Sequence, residues 1–404
     1  SSDLDPRGAS DKSGRTFNNP YQYFFEQMHM DDAIYADESI YEYPMQQGGG
    51  NDGRPYSFGR PSSGGSKAAY PCKSYGQGRI NPAYFYGVFD PNDMRRDVSI
   101  TMTGSNGKGV EKLIPFVPNS KAEGGGLTLN KWDENRQANP WVAAQRKSGI
   151  NGPYMRMSEV YLGYAEVCAA LGDVVTGKQY LKTVRERSFP QGLANTDAFI
   201  ASFGNDLVRA IIEERGFEYA GEGDRRWTLI RSGYLPEDIK RIKDMTKAMM
   251  DGLATKGYYE FENGNIISAY IWTKLVDAKT IYGHRLTAQC PTDKVNDPVL
   301  YPGWRGQKDN WEEMGLNYGS STPATNLAIK GLFEIVSEEE AASLESQGYA
   351  KVNWGIDLVD YRDEYDKYLF WDYDYVSAPI YLWPFTPNVM AAGGFTNGYG
   401  FKQE

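Results

Sequence analysis

The sequence has few of the residues that perform acid–base, thiol or metal chemistry. Its 404 residues include two histidines and three cysteines. His29 and His284 lie in neither a nucleophile-elbow nor a cysteine-protease context, which argues against a Ser-His-Asp or Cys-His catalytic site. Cys72, Cys168 and Cys290 are odd in number and have no C-x-x-C spacing, so neither a disulfide framework nor a zinc site is indicated.

Positive charge and long apolar runs are also scarce. The chain has 43 Lys and Arg residues against 53 Asp and Glu, a formal net charge of −10. This balance argues against nucleic-acid binding and against polybasic attachment to anionic lipid. The longest uncharged stretch near the C-terminus, residues 376–401, is interrupted by proline, glycine and asparagine, so we expect extended chain there and no membrane span. Any membrane attachment is then covalent or through a partner.

Aromatic residues are abundant, with 30 tyrosines and 9 tryptophans. Residues 46–89 combine spaced aromatic rings with many Gly, Ser and Pro residues. Long irregular segments are either disordered or functional, and aromatic rings favour function because disordered chain contains few of them. The alternative is that these rings only fix the loops to the helical body. The rings are Tyr56, Phe58, Tyr70, Tyr75, Tyr84, Phe85 and Tyr86.

The clearest helical pattern begins near Pro153. Within residues 154–171, apolar residues recur at steps of four and three, which predicts an amphipathic helix between Pro153 and Gly172. Such a helix needs a packing partner. Residues 174–189 follow after two residues and predict a helical hairpin. The predicted apolar face consists of Met157, Tyr161, Tyr164, Cys168 and Leu171.

A third helix is predicted over residues 205–220, with Glu214 inside its apolar stripe. An isolated buried carboxylate is costly, so Glu214 is expected to be paired. Arg225 and Arg226 follow shortly after this helix, and an arginine can meet a carboxylate in bidentate geometry. We interpret Glu213, Glu214 and Arg225 as a structural ion-pair network and not as catalytic residues.

Weaker patterns predict several further elements. They are a helix over 19–30, a strand over 36–43, a helix over 236–252, a β-hairpin of 258–261 with 265–273, and a helix over 337–347 with a capping box of Ser337 and Glu340.

Three segments resemble signature regions of the SusD/RagB family, outer-membrane nutrient-binding lipoproteins of Bacteroidetes-type bacteria. RMSEVYLGYAEVCAALGD (156–173) is similar to the family's Arg-x-x-Glu-x-x-Leu-x-x-Ala-Glu helix. EERGFEYAGEGDRRWTLIRSG (213–233) is similar to its Glu-Arg-x-x-Glu-x-x-x-Glu-Gly-x-Arg-Trp element. PIYLWPFTPNVMAAGGFTNGYGF (379–401) is similar to its Pro-Ile-Pro to Asn-x-Gly-Tyr ending. The chain departs from these patterns at Thr228 and at Leu382-Trp383-Pro384.

The resemblance implies one SusD-like domain over 1–404, mainly α, with TPR-like (tetratricopeptide-like) helical hairpins, long irregular loops and a few short β-hairpins. It also implies a strand pair over 98–103 and 113–117. The expected parts are a loop-rich ligand-facing region (19–150), a helical core (151–255), a variable loop-rich region (256–375) and an extended C-terminal segment (376–404).

The resemblance also implies a location and a partner. Family members usually begin with a lipid-modified cysteine and several TPR-like helices. We find no counterpart of that part in this sequence and expect it to be missing from the N-terminus. The implied location is the extracellular face of the outer membrane, held by a lipid anchor outside this chain. The implied partner is a SusC-type TonB-dependent β-barrel transporter.

The composition and the resemblance together favour non-catalytic capture of a nutrient oligomer, and they favour a glycan as that oligomer. A sugar ring lies with its C–H face on an aromatic ring while its hydroxyl groups bond to polar side chains. We expect Tyr75, Tyr84, Tyr86 and Trp304 to form this platform.

Two other functions and one ion remain open at this point. An oligopeptide, as in RagB-type members, would use backbone hydrogen bonds and shallow pockets. A glycoside hydrolase would need two carboxyl groups about 5 to 10 Å apart, and sequence neighbours such as Asp133 with Glu134, or Asp372 with Asp374, do not establish such a pair. We expect no cofactor. The acidic stretch 361–375 could coordinate calcium, although it lacks the spacing of an EF-hand.

Overall fold

The computed structural model describes residues 3–10, 16–17, 19–28, 37–49, 57–61, 74–105, 111–118, 125–133, 147–277, 325–369, 385–394 and 396. Helices form most of its regular structure, and the strands pair in small antiparallel sheets of two or three. This confirms the predicted class, a mainly α fold with a few short β-hairpins.

The helices and strands have the following bounds. The helices are α1 (Pro20–Glu26), a π-helix (Tyr84–Val88), α2 (Arg95–Ser99), α3 (Met157–Ala170), α4 (Val174–Arg187), α5 (Thr196–Ala201), α6 (Leu207–Glu218), α7 (Asp224–Ser232), α8 (Leu235–Lys256), α9 (Glu338–Ser346), α10 (Gly355–Asp360), α11 (Arg362–Leu369) and α12 (Pro387–Gly393). The strands are β1 (Ala9–Ser10), β2 (Thr16–Phe17), β3 (Ser39–Tyr43), β4 (Ile100–Thr101), β5 (Thr103–Ser105), β6 (Glu111–Leu113), β7 (Thr128–Leu129), β8 (Gly152–Arg156), β9 (Tyr258–Glu260), β10 (Ile266–Ser268), β11 (Tyr270–Asp277), β12 (Thr325–Lys330) and β13 (Ala350–Asn353).

The helices α3, α4 and α6 pack together as predicted, with the α3–α4 hairpin lying against α6. Asp173 ends the short connection and caps α4, because its side chain accepts from the backbone N–H of Thr176. The shared core is apolar and fully covered, which gives these helices the packing that their amphipathic faces require. It includes Leu162, Ala165, Leu181, Val184, Leu207, Ala210 and Ile211.

The start and the buried face of α3 differ from the prediction. Pro153 belongs to β8, which pairs with β3, so the helix begins only at Met157. Tyr164 and Leu171 are exposed. The ring of Tyr164 contacts Tyr180 at the margin of the α3–α4 interface and does not enter it. The face that is buried consists of Ser158, Leu162, Ala165 and Cys168.

Other predicted elements are confirmed with shifted ends. The β9–β10 hairpin and the Ser337–Glu340 capping box are present. The second strand of that hairpin ends at Ser268, and β11 pairs instead with β12 and β13. The start of the strand predicted over 98–103 is wrong, because Val98 lies in α2. The predicted pairing is confirmed at its other end, where β5 pairs with β6.

A second core lies between the π-helix, α8 and the β11 sheet. Tyr86 stacks on Phe261 with ring centroids 6.1 Å apart, and Trp354 contacts Phe116. The indole Nε1 of Trp354 donates to the hydroxyl of Tyr86 at 2.8 Å. Both rings are completely buried, so this hydrogen bond satisfies polar groups that water does not reach.

The helical body and the segments before it meet at the carboxylate of Glu218, at the C-terminal end of α6. Glu218 Oε1 accepts from Arg156 Nη1 at 2.5 Å and from Arg187 Nη2 at 2.9 Å, and its Oε2 accepts from Arg95 Nη1 at 2.9 Å. Glu38, which precedes β3, binds Arg156 and Arg187 as well. All five side chains are almost completely buried. We call them the Glu218 cluster.

Charge pairing in the Glu218 cluster outweighs the penalty of burial. Burial alone raises the pKa of the Glu218 carboxyl, but Arg156, Arg187 and Arg95 together hold it well below its usual range. The carboxylate therefore remains ionised, and it stabilises the fold at every pH above the pKa of an unfolded glutamate.

Glu214 is paired, as predicted, but not with the predicted arginine. Its Oε1 accepts from Arg95 at 2.7 Å and its Oε2 from Arg185 at 2.9 Å. Arg225 instead holds both oxygens of Glu213 at 3.0 Å and Asp238 at 2.9 Å. Neighbouring residues of a helix point in directions about 100° apart. Glu213 and Glu214 therefore belong to two separate ion-pair groups on α6.

Gly216 explains how Arg225 approaches α6 so closely. A Cβ atom at this position would lie 2.9 Å from Arg225 Nη1. Without it, Arg225 Nη1 donates to the carbonyl oxygen of Ile212 at 3.1 Å while Nη2 holds Glu213.

Replacing Glu218 by glutamine should destabilise the protein severely. Glu218→Gln leaves buried arginines without their shared counter-charge, a change that costs about 3 to 5 kcal/mol in comparable buried pairs. Urea unfolding followed by circular dichroism measures the loss. Glu339→Gln, on the exposed side of α9, is the matched control and should change stability by less than about 0.5 kcal/mol. Equal stability of the two variants would show that the cluster does not hold the fold together.

Asp5 should make the protein less stable as the pH rises. Burial and the nearby charge of Glu38 raise the pKa of the Asp5 carboxyl to about 7, although Arg187 opposes them. The unfolded chain releases this proton near its ordinary pKa of 3.8, so the folded state loses relative stability between about pH 4 and pH 7.

Asp5→Asn should therefore stabilise the protein by about 2 to 4 kcal/mol near pH 8 and hardly at all near pH 4. Unfolding free energies measured across that pH range test this expectation. Asp37→Asn, an exposed carboxylate in the same region, should give a nearly constant difference. A pH-independent effect of Asp5→Asn would contradict the assignment.

Candidate ligand-binding groove

A groove of about 470 Å³ opens between β8, the start of α3 and the start of α7. We call it the β8–α7 groove. It combines aromatic side chains with carboxylates, which is the composition expected for a site that binds polar organic ligands. The lining residues are Pro153, Tyr154, Met155, Arg156, Glu159, Tyr219, Glu222, Gly223, Asp224 and Trp227.

Two exposed aromatic residues form the walls of the groove. Tyr154 on β8 is 75% exposed, and its ring is held edge-on by Tyr41 of the paired strand β3, with centroids 5.6 Å apart. Trp227 on α7 is 54% exposed. A large aromatic side chain exposed beside a concavity is a common feature of ligand sites, because it offers apolar area without extensive loss of rotamer freedom.

The sequence positions Trp227 through the turn before α7. Gly223 has φ +96°, a left-handed conformation that glycine adopts without strain, and it directly precedes the first residue of α7. Asp224 and Trp227 are three residues apart and lie on the same side of the helix. The turn thus directs a carboxylate and an indole toward one opening.

The floor of the groove is an extension of the Glu218 cluster. Glu222 accepts from Arg156 Nε at 3.1 Å, Arg156 Nη2 at 3.0 Å and Lys131 Nζ at 2.6 Å. Lys131 also lies over the rings of Tyr21 and Phe25. Burial, aided by Arg156, lowers the pKa of Lys131 to about 8 although Glu222 opposes it. The floor is therefore rigid and its charges are paired.

A second ion-pair group lies along one side. Arg215 Nη2 holds Asp224 at 2.5 Å and is 3.6 Å from Glu159, and Arg215 Nε donates to the hydroxyl of Thr228 at 3.3 Å. Thr228 thus completes this contact at the position where the chain departs from the family pattern.

Three of the residues predicted as a sugar platform, Tyr75, Tyr84 and Tyr86, lie outside the β8–α7 groove. Tyr86 is completely buried in the second core, so its ring has no face available to a ligand. Tyr84 is half-buried, and its hydroxyl donates to the carbonyl oxygen of Gly216 at 2.7 Å. Tyr75 is half-buried in a short irregular segment. Trp304 lies outside the described residues.

The groove residues were not identified from the sequence. The sequence pattern predicts Tyr154 in the first turn of a helix. In the structure Tyr154 lies in β8. Trp227 was noticed only as part of a motif. The sequence does contain a signal for these residues in the run Glu-Gly-Asp-Arg-Arg-Trp (222–227). A glycine that permits a turn is followed by Asp224, and Trp227 comes three positions after that carboxylate.

Within the described part of the chain, no group of three or more His, Cys, Asp or Glu side chains is arranged to hold a metal ion. The carboxylates of the groove therefore do not form such a group. Asp363 and Asp366, from the acidic stretch considered for calcium, lie on α11, and Asp372 and Asp374 fall outside the described residues. Among the described helices, none has the length and apolar character needed to cross a membrane.

Comparison with known proteins identifies the family. The model of the SusD family matches residues 7–385, and the chain therefore belongs to the SusD family. SusD-like protein P25 from Formosa agariphila is 28% identical over 160 residues, which are 39% of this chain and 26% of that protein.

Solved structures of the same family overlap with part of the chain. A SusD homologue from Bacteroides thetaiotaomicron aligns with a TM-score of 0.42 and 20% identity, covering 57% of this chain and 47% of that one. Surface glycan-binding protein A from the same organism, in complex with laminarihexaose, aligns with a TM-score of 0.37 and 18% identity, covering 54% and 46%. The chain thus spans about a quarter of the curated relative and about half of each of these solved structures.

Proposed function

We propose that the protein captures an oligosaccharide at the cell surface without chemical conversion and delivers it to a SusC-type TonB-dependent transporter in the outer membrane. The observation that carries the binding role is the β8–α7 groove, where Tyr154 and Trp227 expose aromatic surface beside carboxylates. Membership of the SusD family supports the same class of function. The lipid anchor and the outer-membrane location belong to the proposal.

The geometry of the groove suits a polyhydroxylated ring. One face of a sugar ring would stack on Trp227 or Tyr154, replacing water on apolar area, and its hydroxyl groups would donate to Glu159 and Asp224. Because the Glu218 cluster holds the floor in one arrangement, little conformational entropy would be lost on binding. Affinity would then arise from a preformed surface.

Binding without catalysis is supported by the state of the acidic residues. Asp133, one of the carboxylates considered for hydrolysis, is buried and lies 3.7 Å from Arg60. In the groove, Glu222 and Asp224 are engaged by arginine or lysine. A hydrolase needs two carboxyl groups that flank the scissile bond, and these three carboxylates are instead held in ion pairs with cations of the protein.

Of the four loop aromatic residues predicted to contact a sugar, we keep two in the proposal. Tyr75 and Trp304 are proposed as further ligand contacts, whereas Tyr84 and Tyr86 are proposed to support the fold beneath the loops. Tyr75→Ala and Trp304→Ala variants belong in the same binding series as the groove variants described next.

Removing the groove aromatics should weaken oligosaccharide binding. In isothermal titration calorimetry with a panel of neutral oligosaccharides, Trp227→Ala and Tyr154→Ala should each raise the Kd for a bound glycan about tenfold, because each removes a stacking surface worth roughly 1 to 2 kcal/mol. Tyr361→Ala removes a tyrosine outside the groove that is 40% exposed, and it is the control variant. It should leave the Kd unchanged.

Two results would overturn the binding proposal. If both groove variants bind as tightly as the unchanged protein, the groove is not the site. If a mixture of oligopeptides binds and no oligosaccharide does, the protein is a peptide-capture member of the family. Release of shorter sugars during incubation would instead show hydrolysis.

The transporter partnership has its own test. Affinity purification of the protein from a detergent-solubilised outer membrane should recover a large β-barrel protein with it in a defined ratio. Recovery of the protein alone, at a detergent concentration that preserves other outer-membrane complexes, would contradict delivery through a stable complex.

A further inference from the structure

The β8–α7 groove presents negative charge to solvent and keeps positive charge behind it. The side chain of Glu159 is 42% exposed and that of Asp224 is 19% exposed. The cations that neutralise them are much less accessible, since Arg215 is 6% exposed, Arg156 is 2% exposed and Lys131 is completely covered. A ligand entering the groove therefore meets these carboxylate oxygens before it meets any of these three cations.

Arg156, at the floor of the groove, has no hydrogen-bonding capacity left for a ligand. Arg156 donates from Nε to Glu222, from Nη1 to Glu38, Glu218 and Ser158, and from Nη2 to Glu222 and the backbone oxygen of Glu218. A guanidinium has five N–H groups, and these contacts use all of them. An anionic ligand group could bind Arg156 only by displacing one of its carboxylates, and that would leave a buried charge unpaired.

The exposed groups suit a cation. Glu159 has Arg215 as its ion-pair contact at the long distance of 3.6 Å, so its oxygens can accept further hydrogen bonds. Trp227 offers the face of an indole, which is the aromatic ring that attracts cations most strongly. An ammonium group close to Glu159, Asp224 and Trp227 would gain both charge pairing and a cation–π contact.

We propose that the β8–α7 groove selects oligosaccharides by charge, binding sugars that carry free amino groups most tightly, neutral sugars less tightly, and uronic acids or sulfated sugars least. This inference rests on the proposed oligosaccharide-binding function and adds the chemical class of its ligand. A lysine-bearing peptide offers the same ammonium group, but the proposed function and the exposed aromatic surface of Trp227 and Tyr154 favour the amino sugar.

Three matched probes test the order of binding. They are β-1,4-linked hexasaccharides of glucosamine, glucose and glucuronic acid, which share linkage and length and differ in charge. Calorimetric titration at low ionic strength, at a pH where the amines are protonated, should give a Kd for the glucosamine oligomer about fivefold to tenfold below that of the glucose oligomer. The glucuronic acid oligomer should bind more weakly than the glucose oligomer. Added salt should reduce both differences, because exposed charges are screened.

A charge-neutral variant locates the effect. Glu159→Gln keeps the shape of the side chain and should move the glucosamine-to-glucose affinity ratio toward one. Glu339→Gln removes an exposed carboxylate far from the groove in sequence and should leave the ratio as it is in the unchanged protein.

The outcomes separate this inference from the proposed function. Binding of the glucose oligomer that depends on Trp227, with no preference for the amine or a preference for the uronic acid, would overturn charge selection and leave oligosaccharide capture intact. Binding of lysine-containing peptides in place of the glucosamine oligomer would overturn the amino-sugar assignment. Binding of none of the three oligomers, together with failure of the wider neutral panel, would overturn both.

Discussion

The structure depends on one carboxylate with three arginine partners. Glu218 closes α6 and receives Arg95, Arg156 and Arg187 from three different parts of the chain. Each of these groups would be costly to bury alone, but together they exchange hydration for short, charge-assisted hydrogen bonds. The cluster fixes the start of α2, the junction of β8 with α3 and the end of α4 relative to α6. Arg156 also donates a hydrogen bond to Glu222 and thereby fixes the floor of the groove relative to the cluster.

In this arrangement the buried charged residues have a structural role, and the exposed side chains of the groove are the ones available to a ligand. Each ionisable group of the Glu218 cluster is paired with a group of opposite charge, so their role is to hold the backbone in place. The groove lies where the cluster reaches the surface, and the side chains that extend beyond it there are Tyr154, Glu159 and Trp227. A preformed surface of this kind is suited to binding a ligand and releasing it unchanged, which is what capture at a cell surface requires.

Local sequence patterns were sufficient where the answer depended on neighbours within a few residues. The helix pattern of 205–220 places Leu207, Ala210, Ile211, Glu214 and Phe217 on one side, and all five are buried, although α6 is buried on its other sides as well. The Ser337–Glu340 capping box was predictable for the same reason, since both partners lie in one turn. The class of fold also followed from these elements and from the three signature segments.

Patterns failed where the partner is distant in the chain. Arg95 lies 119 residues before Glu214, and no local rule links the two, so the sequence pattern points instead to Arg225, which is much closer in the chain. Tyr84 and Tyr86 stand in an aromatic loop sequence that also fits a ligand platform, and only the packing of Phe261 and Trp354 shows why Tyr86 is core. The strand position of Tyr154 was not predicted, because the helix pattern of the sequence extends back over β8. That strand is formed by pairing with β3, which is distant in the chain. The hydrogen bond between Trp354 and Tyr86 joins positions 268 residues apart. Closing so long a loop costs conformational entropy before the contacts of this core offset it, so we expect the second core to form late in folding.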